Sequence, residues 1–416
     1  LPKKKATKPP RIVTKHQLSR WEQQRRRQRI IMGIGIFIIA AVLTVIGVGW
    51  YYGQYQPMHE TVLAVNDREF SMEYYVEMLK LQAAGGQSEA HLLYLANSIE
   101  ITIQRNELIR QEARELGVTV SDEDAKRELE NAELPDTPVY RDLAKSKLVV
   151  DRLLSGYFDE QVPRFDRQRQ LMAMLLESQS QADEVSERIE TGESFTELAE
   201  ELSLEDYTRA NGGDFGWTPQ RVLEELLGES VAREIFALPV GALQPVYDEE
   251  VEKPVGYWLV EVLERNEEEE THLQVMLLGS EAQAEEIKRR VEAGEDFGDL
   301  AVEYSQLKGV EENRGEFMVI EGMMQPAVDA YAFASDTELG EISDPIRDDT
   351  VFTKGGYWLV DVQAEDENRR IETTYRDFLK NRAFNEWIAG ILDDPENELV
   401  SYLDDEKKAW AVSQIM

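Results

Sequence analysis

The sequence predicts an α+β protein carried on one transmembrane helix, and three observations predict it. An uncharged apolar run of twenty-three residues, Ile30 to Tyr52, lies near the N-terminus. Residues 60–165 then show mostly helical periodicity. After them, a segment of roughly 95 residues occurs twice, each copy mixing strand and helix patterns.

Composition narrows the functional classes. With 416 residues and 42% hydrophobic content there is length for two or three cores. Lys+Arg is 45 against 82 for Asp+Glu, a net charge of −37, which argues against nucleic-acid binding by the whole protein. The absence of cysteine excludes disulfide scaffolds, thiolate metal sites and thiol nucleophiles. Four histidines (His16, His59, His91, His272) leave little material for His-rich metal sites or Ser-His-Asp triads. No loop has EF-hand spacing, so acidic runs such as Glu267–Glu270 read as solvated faces, and neither metal nor cofactor is expected.

Charge is divided along the chain. Residues 1–29 carry eleven basic groups and one acid, a local +10, whereas the rest carries −47. Between them, Ile30–Tyr52 reaches about 34 Å at about 1.5 Å per residue, enough for a hydrocarbon core of about 30 Å. Trp50, Tyr51 and Tyr52 suit the far interface, and the basic cluster Arg25–Arg29 places the N-terminus in the cytoplasm. A cleaved signal peptide fits less well, because the apolar run is long and no small-x-small site follows Trp50. The expectation is a single-pass anchor in the cell membrane, with everything after Gly53 extracytoplasmic. Lysines and arginines beside such a helix are drawn to anionic lipid heads.

From Glu60 the pattern gives a short strand, a turn at Asn66–Asp67, and a helix capped by Ser71. Helical periodicity continues over Leu92–Leu116 and ends at Gly117. Ser121 caps the next helix, and another covers Val139–Phe158.

The repeat carries most of the information. Ala173–Ser203 and Val275–Ser305 align at an offset of 102 with sixteen of thirty-one positions identical. Gly256-Tyr-Trp-Leu-Val-Glu-Val and Gly356-Tyr-Trp-Leu-Val-Asp-Val match at an offset of 100. Each repeat is expected to run strand, helix, helix, glycine loop (Gly212–Gly213 or Gly315), short helix, and closing strand (Tyr257–Val262 or Tyr357–Val362).

These residues resemble the parvulin-type peptidyl-prolyl isomerases. Repeat 1 holds Gly192, Phe195, Leu198, Ala199, Ser203 and Gly212-Gly213-Asp214-Phe215-Gly216; repeat 2 holds Gly294, Phe297, Leu300, Ala301, Tyr304-Ser305, Gly315, Gly322-Met323-Met324, Phe333 and Gly340-Glu341-Ile342-Ser343-Asp344-Pro345. With the helical block before them, the whole is similar to the chaperones of the SurA/PrsA/PpiD kind. That resemblance implies a basic tail (1–29), an anchor (30–52), a SurA-like helical domain (60–165), two parvulin-like domains (169–265 and 271–365), and a C-terminal helix and tail (371–416). It also implies that this last helix returns to the helical domain. An apolar stripe of Ile371, Tyr375, Phe378, Ala383, Trp387 and Ile391 gives that helix its packing face.

The family's functional positions fall on unexpected residues. Its first histidine falls on Ala173 and Val275, its second on Trp258 and Trp358, and its acidic or thiol position on Glu205 and Leu307. His272 is an odd number of residues from Val275 and so points to the opposite face of its strand. By position, the family's proline pocket would be lined by Phe215, Leu227 and Val231 in repeat 1, and by Phe317, Met324 and Val328 in repeat 2. These six are equally accounted for as ordinary core residues, and the two tryptophans as packing on a closing strand. The resemblance implies a folding factor for unfolded or secreted, proline-containing polypeptides, with isomerase activity weak or lost. The other reading is a non-catalytic scaffold with one fixed partner in a membrane or envelope complex.

Overall fold

A computed structural model of the chain describes residues 15–83, 88–266 and 270–416, with side chains from Met32 onward. The side chains of the basic segment 1–29 and Glu267–Glu269 of the acidic run lie outside the described residues. The chain folds as two compact units, one made of residues up to Asp159 together with Ala383–Met416, the other of Glu160–Arg382.

In the first unit, a helix runs from Lys15 to Trp50 and continues through a wider turn, Tyr51–Tyr55, into Gln56–His59. Its stretch Ile34–His59 is long and apolar enough to cross a membrane, and its side chains are not buried against the protein. Strands β1 (Thr61–Val65) and β2 (Arg68–Ser71) form a hairpin around Asn66, which takes the left-handed conformation that asparagine tolerates. The Ser71 hydroxyl then accepts from the Tyr74 N–H at 3.3 Å and caps the helix Met72–Gln82. The helices Glu89–Glu115, Asp122–Asn131 and Pro138–Arg152 follow, the second opened by a reciprocal capping box between Ser121 and Asp124.

The core of this unit takes Leu63, Tyr75, Ile99, Leu108 and Val149 from these elements, and Phe384, Ile388, Ile391, Ala411 and Val412 from the C-terminal segment. A strand the periodicity did not indicate, Leu399–Ser401, pairs with β1. Beneath the hairpin, Arg68 and Arg110 share the carboxylates of Glu107 and Asp142, and Tyr74 adds its hydroxyl to Asp142 at 3.1 Å. Burial alone would raise the Asp142 pKa, but the two guanidiniums outweigh it and hold the carboxyl below its ordinary value.

The C-terminal helix expected to start at Ile371 spans Thr373–Asp393. Ile371 closes the preceding extended segment instead, its N–H donating to the Arg164 carbonyl at 2.9 Å. Phe378 accordingly lies exposed, and Leu379, one position later, packs with Val162 and Val222.

The second unit holds eight strands among the described residues: β3 (Phe165–Leu176), β4 (Asp214–Pro219), β5 (Leu243–Lys253), β6 (Gly256–Arg265), β7 (Thr271–Leu278), β8 (Glu316–Val319), β9 (Ile346–Asp348) and β10 (Thr353–Arg370). They form two four-stranded sheets, ordered β4-β3-β10-β5 and β8-β7-β6-β9. Here the structure corrects the expected strand order. Neither repeat closes on its own last strand. The first sheet is completed by β10 from repeat 2, with Val360 opposite Ala173 and Trp358 opposite both Leu175 and Val246. The second is completed by β6 from repeat 1, with Val260 opposite Val275 and Trp258 opposite Leu277.

The linker explains the exchange. Only Pro254 and Val255 separate β5 from β6, and a two-residue hairpin loop needs a turn with positive φ, which proline cannot adopt. The chain therefore runs on into the neighbouring sheet. Where this link passes the start of β10, Lys253 lies opposite Thr353 and donates to the Gly355 carbonyl, while Thr353 Oγ1 donates to the Val255 carbonyl. Burial lowers the Lys253 pKa to about 8. Alongside, Glu177 of repeat 1 accepts from the Tyr257 hydroxyl (3.1 Å) and from the Glu281 N–H (3.2 Å).

Each sheet is packed on both faces. The helices Gln220–Leu227 and Glu229–Ala237 cover one face of the first sheet, and Gln179–Glu190 and Phe195–Leu202 the other. The conserved spacing of the glycine loops has a steric cause. Gly213 and Gly315 both have positive φ, and a Cβ on either would sit 2.9 or 2.5 Å from the carbonyl oxygen of Ala173 or Val275.

Candidate functional site

The exchange decides which site positions meet. On the first sheet, Ala173 (β3) and Trp358 (β10) share one face and one apolar cluster with Phe215, Leu227 and Val231. On the second, Val275 (β7) and Trp258 (β6) share a face with Val328, and Phe317 and Met324 pack against its edge. Position 173 is thus brought to 358 and position 275 to 258, not to the tryptophans of their own repeats.

Neither pair offers acid–base chemistry. Ala173 and Val275 have no polar side-chain atom. Both indoles are buried, and each gives its one N–H to a carboxylate: Trp258 Nε1 to Asp348 Oδ2 at 3.0 Å, and Trp358 Nε1 to Asp248 Oδ2 at 3.1 Å. The second oxygens are also engaged. Asp248 Oδ1 accepts from the backbone N–H groups of Glu250 and Val251, both at 3.1 Å. Asp348 Oδ1 accepts from the Thr350 N–H at 2.9 Å and its hydroxyl at 2.6 Å. Burial would raise the Asp348 pKa, but these bonds and the one from Trp258 keep it below its ordinary value, so it stays a saturated carboxylate.

The third family position is no more reactive. Glu205 is the N-cap of the short helix Asp206–Ala210 and accepts from the Tyr207 N–H (3.0 Å) and the Thr208 N–H (2.7 Å). Leu307 is half-buried between the clusters on the two faces of the second sheet. The motif serines of the two repeats hold this corner together: Ser203 and Ser305 accept from the N–H groups of Leu175 and Leu277 at 3.1 and 3.0 Å. His272 lies away from the Val275 face, with Nε2 3.2 Å from a Glu316 carboxylate oxygen. Among the described residues, no group of three or more His, Asp or Glu is placed to hold a metal ion.

The six lining candidates divide in two. Phe215, Leu227, Val231 and Val328 are buried core, whereas Phe317 and Met324 are half-buried and reach the surface. Neighbouring them in the chain are exposed apolar residues that the sequence reading did not put in a lining. Met318, Ile320 and Met323 are 55%, 49% and 63% exposed on the edge strand β8 and the loop after it. Their signal was the run Phe317-Met-Val-Ile-Glu-Gly-Met-Met324, too apolar for an edge strand with one buried face. In the first sheet, a cavity of about 630 Å³ opens beside Trp358 and Leu227, rimmed by Leu226, Arg233, Asp248 and Val251.

Comparison with known proteins places the two repeats in one domain class. Residues 169–266 match a family described as the PPIC-type PPIASE domain, and residues 274–364 match a second family of the same description. The chain is 36% identical over 152 residues to the foldase protein PrsA of Oceanobacillus iheyensis, covering 36% of this chain and 48% of that protein. It is 26% identical over 259 residues to the chaperone SurA of Chromohalobacter salexigens, covering 55% of each. It is also similar to the crystal structure of a PrsA peptidylprolyl isomerase from Bacillus anthracis, at 13% identity and a TM-score of 0.24, over 75% of this chain and 93% of that one. The chain thus spans about half the length of the curated relatives it matches. Residues 169–266 and 274–364 are thus PPIC-type domains in tandem, and with relatives named PrsA and SurA they support a parvulin of the SurA and PrsA type.

Proposed function

We propose that this chain is a membrane-anchored, extracytoplasmic folding factor that holds unfolded, proline-containing segments and accelerates prolyl isomerisation weakly or not at all. The observation that carries this reading is that the positions the resemblance assigns to imidazoles hold Ala173, Val275 and two indoles, Trp258 and Trp358, each already bonded to an aspartate. Rotation about a peptide bond meets a barrier of about 18–20 kcal/mol. Lowering it requires groups that bind the twisted amide better than the planar one. Side chains with no free donor or acceptor can grip a client but cannot supply that difference.

Binding has better support than chemistry. Methionine side chains adapt to many apolar shapes, and Met324 packs with Phe317 at the edge of the second sheet, with the exposed Met323 beside it in the chain. In this reading, residues 60–165 and 371–416 form one helical chaperone domain and residues 169–265 and 271–365 the two parvulin-like ones. The helix reaching Trp50 anchors the chain, and residues 1–29 rest against anionic lipid. The relatives' names, a foldase and a chaperone, favour the same function.

The test uses the chain from Gly53 onward with a chemically unfolded client diluted into buffer. Light scattering from the aggregating client should fall several-fold at equimolar protein, and Met323→Ser with Met324→Ser should return much of it. Unchanged aggregation, with one protein co-purifying at fixed stoichiometry, would replace this reading with the scaffold.

A further inference from the structure

We infer that neither repeat builds a groove alone: each parvulin-like groove is a joint product of both repeats, and Trp258 and Trp358 each serve the groove of the opposite repeat. The ground is the strand pairing. In the first sheet Leu171, Ala173, Phe215, Leu227 and Val231 come from repeat 1, while Trp358, Val360 and Val362 come from β10 of repeat 2, all in one buried cluster. In the second sheet the roles reverse, with Leu273, Val275 and Val328 packed on Trp258, Val260 and Val262 of β6.

The polar contacts follow the same rule. Trp258 of repeat 1 binds Asp348 of repeat 2, and Trp358 of repeat 2 binds Asp248 of repeat 1. The two closing strands are nearly identical, Gly256-Tyr-Trp-Leu-Val-Glu-Val and Gly356-Tyr-Trp-Leu-Val-Asp-Val, so each fits the slot that the other would have filled. What selects the exchanged partner is the Pro254-Val255 link, which cannot turn β6 back on β5.

The consequence reaches the chemistry. Any attempt to restore the family's histidine pair must cross the repeats: Ala173→His belongs with Trp358→His, and Val275→His with Trp258→His. Removing either repeat removes both grooves. This concerns how the grooves are assembled and holds whether or not they bind clients, so its test is separate from the aggregation assay.

The chain has no cysteine, so a pair of introduced thiols reports one proximity without background. The Ala173 N–H donates to the Gly213 carbonyl, away from β10. Ala173 and Val360 therefore face each other as a non-hydrogen-bonded pair, the closer kind in an antiparallel ladder and within disulfide reach. Under mild oxidation of the chain from Gly53, Ala173→Cys with Val360→Cys should form an intrachain disulfide, seen as a mobility shift without reductant. Ala173→Cys with Val260→Cys should stay reduced. Failure of the first pair, or bonding of the second, overturns the inference.

A second measurement follows the groove itself. Trp358→Ala should speed amide hydrogen exchange in the repeat 1 helices Gln220–Leu227 and Glu229–Ala237 and leave the repeat 2 helix Pro326–Ala332 unchanged. Faster exchange confined to Pro326–Ala332 would overturn the inference.

Discussion

An indole has one N–H to donate, and at Trp258 and Trp358 it is donated to an aspartate carboxylate, buried Asp348 and half-buried Asp248. Trp358→Phe should cost about 2 kcal/mol, from lost ring volume and the bond missing at Asp248, read as a lower denaturant midpoint. A second residue carries a pH signature. Arg167 foremost, and then Arg169, holds the Glu365 carboxylate down to a pKa of about 2, against an ordinary 4.5. Folded and unfolded chains are both ionised there above about pH 4.5. Below it the unfolded chain takes up the proton first, so this contribution is lost between pH 4.5 and 2. Glu365→Gln should make the fall in melting temperature over that range shallower than in the unaltered chain, while lowering stability at pH 7. An equally steep fall would count against the ion pair.

At the scale of elements, the exchanged strands answer to a two-residue link. Replacing Pro254-Val255 by Asn-Gly supplies the dipeptide that a two-residue type I′ hairpin prefers. In that background the thiols of Ala173→Cys and Val260→Cys should become able to bond, and those of Ala173→Cys and Val360→Cys less so; unchanged cross-linking would mean that another contact directs the strands. The link also shows where sequence reading stops. Ser71, Ser121 and Gly117 mark helix ends through local hydrogen bonds and backbone preference, and such signals are legible in a few residues. The repeat likewise announced two copies of one domain. Which copy of Gly-Tyr-Trp-Leu-Val closes which sheet is a contact between identical patterns, and no periodicity distinguishes them. The site positions were therefore legible one by one, and their pairing was not. Leu399–Ser401 was missed because three residues pairing with β1 leave too short a pattern.

At the scale of the molecule, a chain with net charge −37 places two packed PPIC-type domains after a helix long and apolar enough to cross a membrane. Both PPIC-type domains carry a glycine loop against their first strand, and the positions that the sequence resemblance assigns to imidazoles hold Ala, Val and Trp. The account therefore separates holding from isomerising. Two-dimensional NMR exchange on a short proline-containing peptide, titrated with the chain from Gly53 onward, reads both properties in one sample. The account predicts shifted and broadened peptide resonances with no cis–trans exchange cross-peaks beyond those of the free peptide. Strong exchange cross-peaks at catalytic amounts of protein would contradict it and make this an isomerase without histidine.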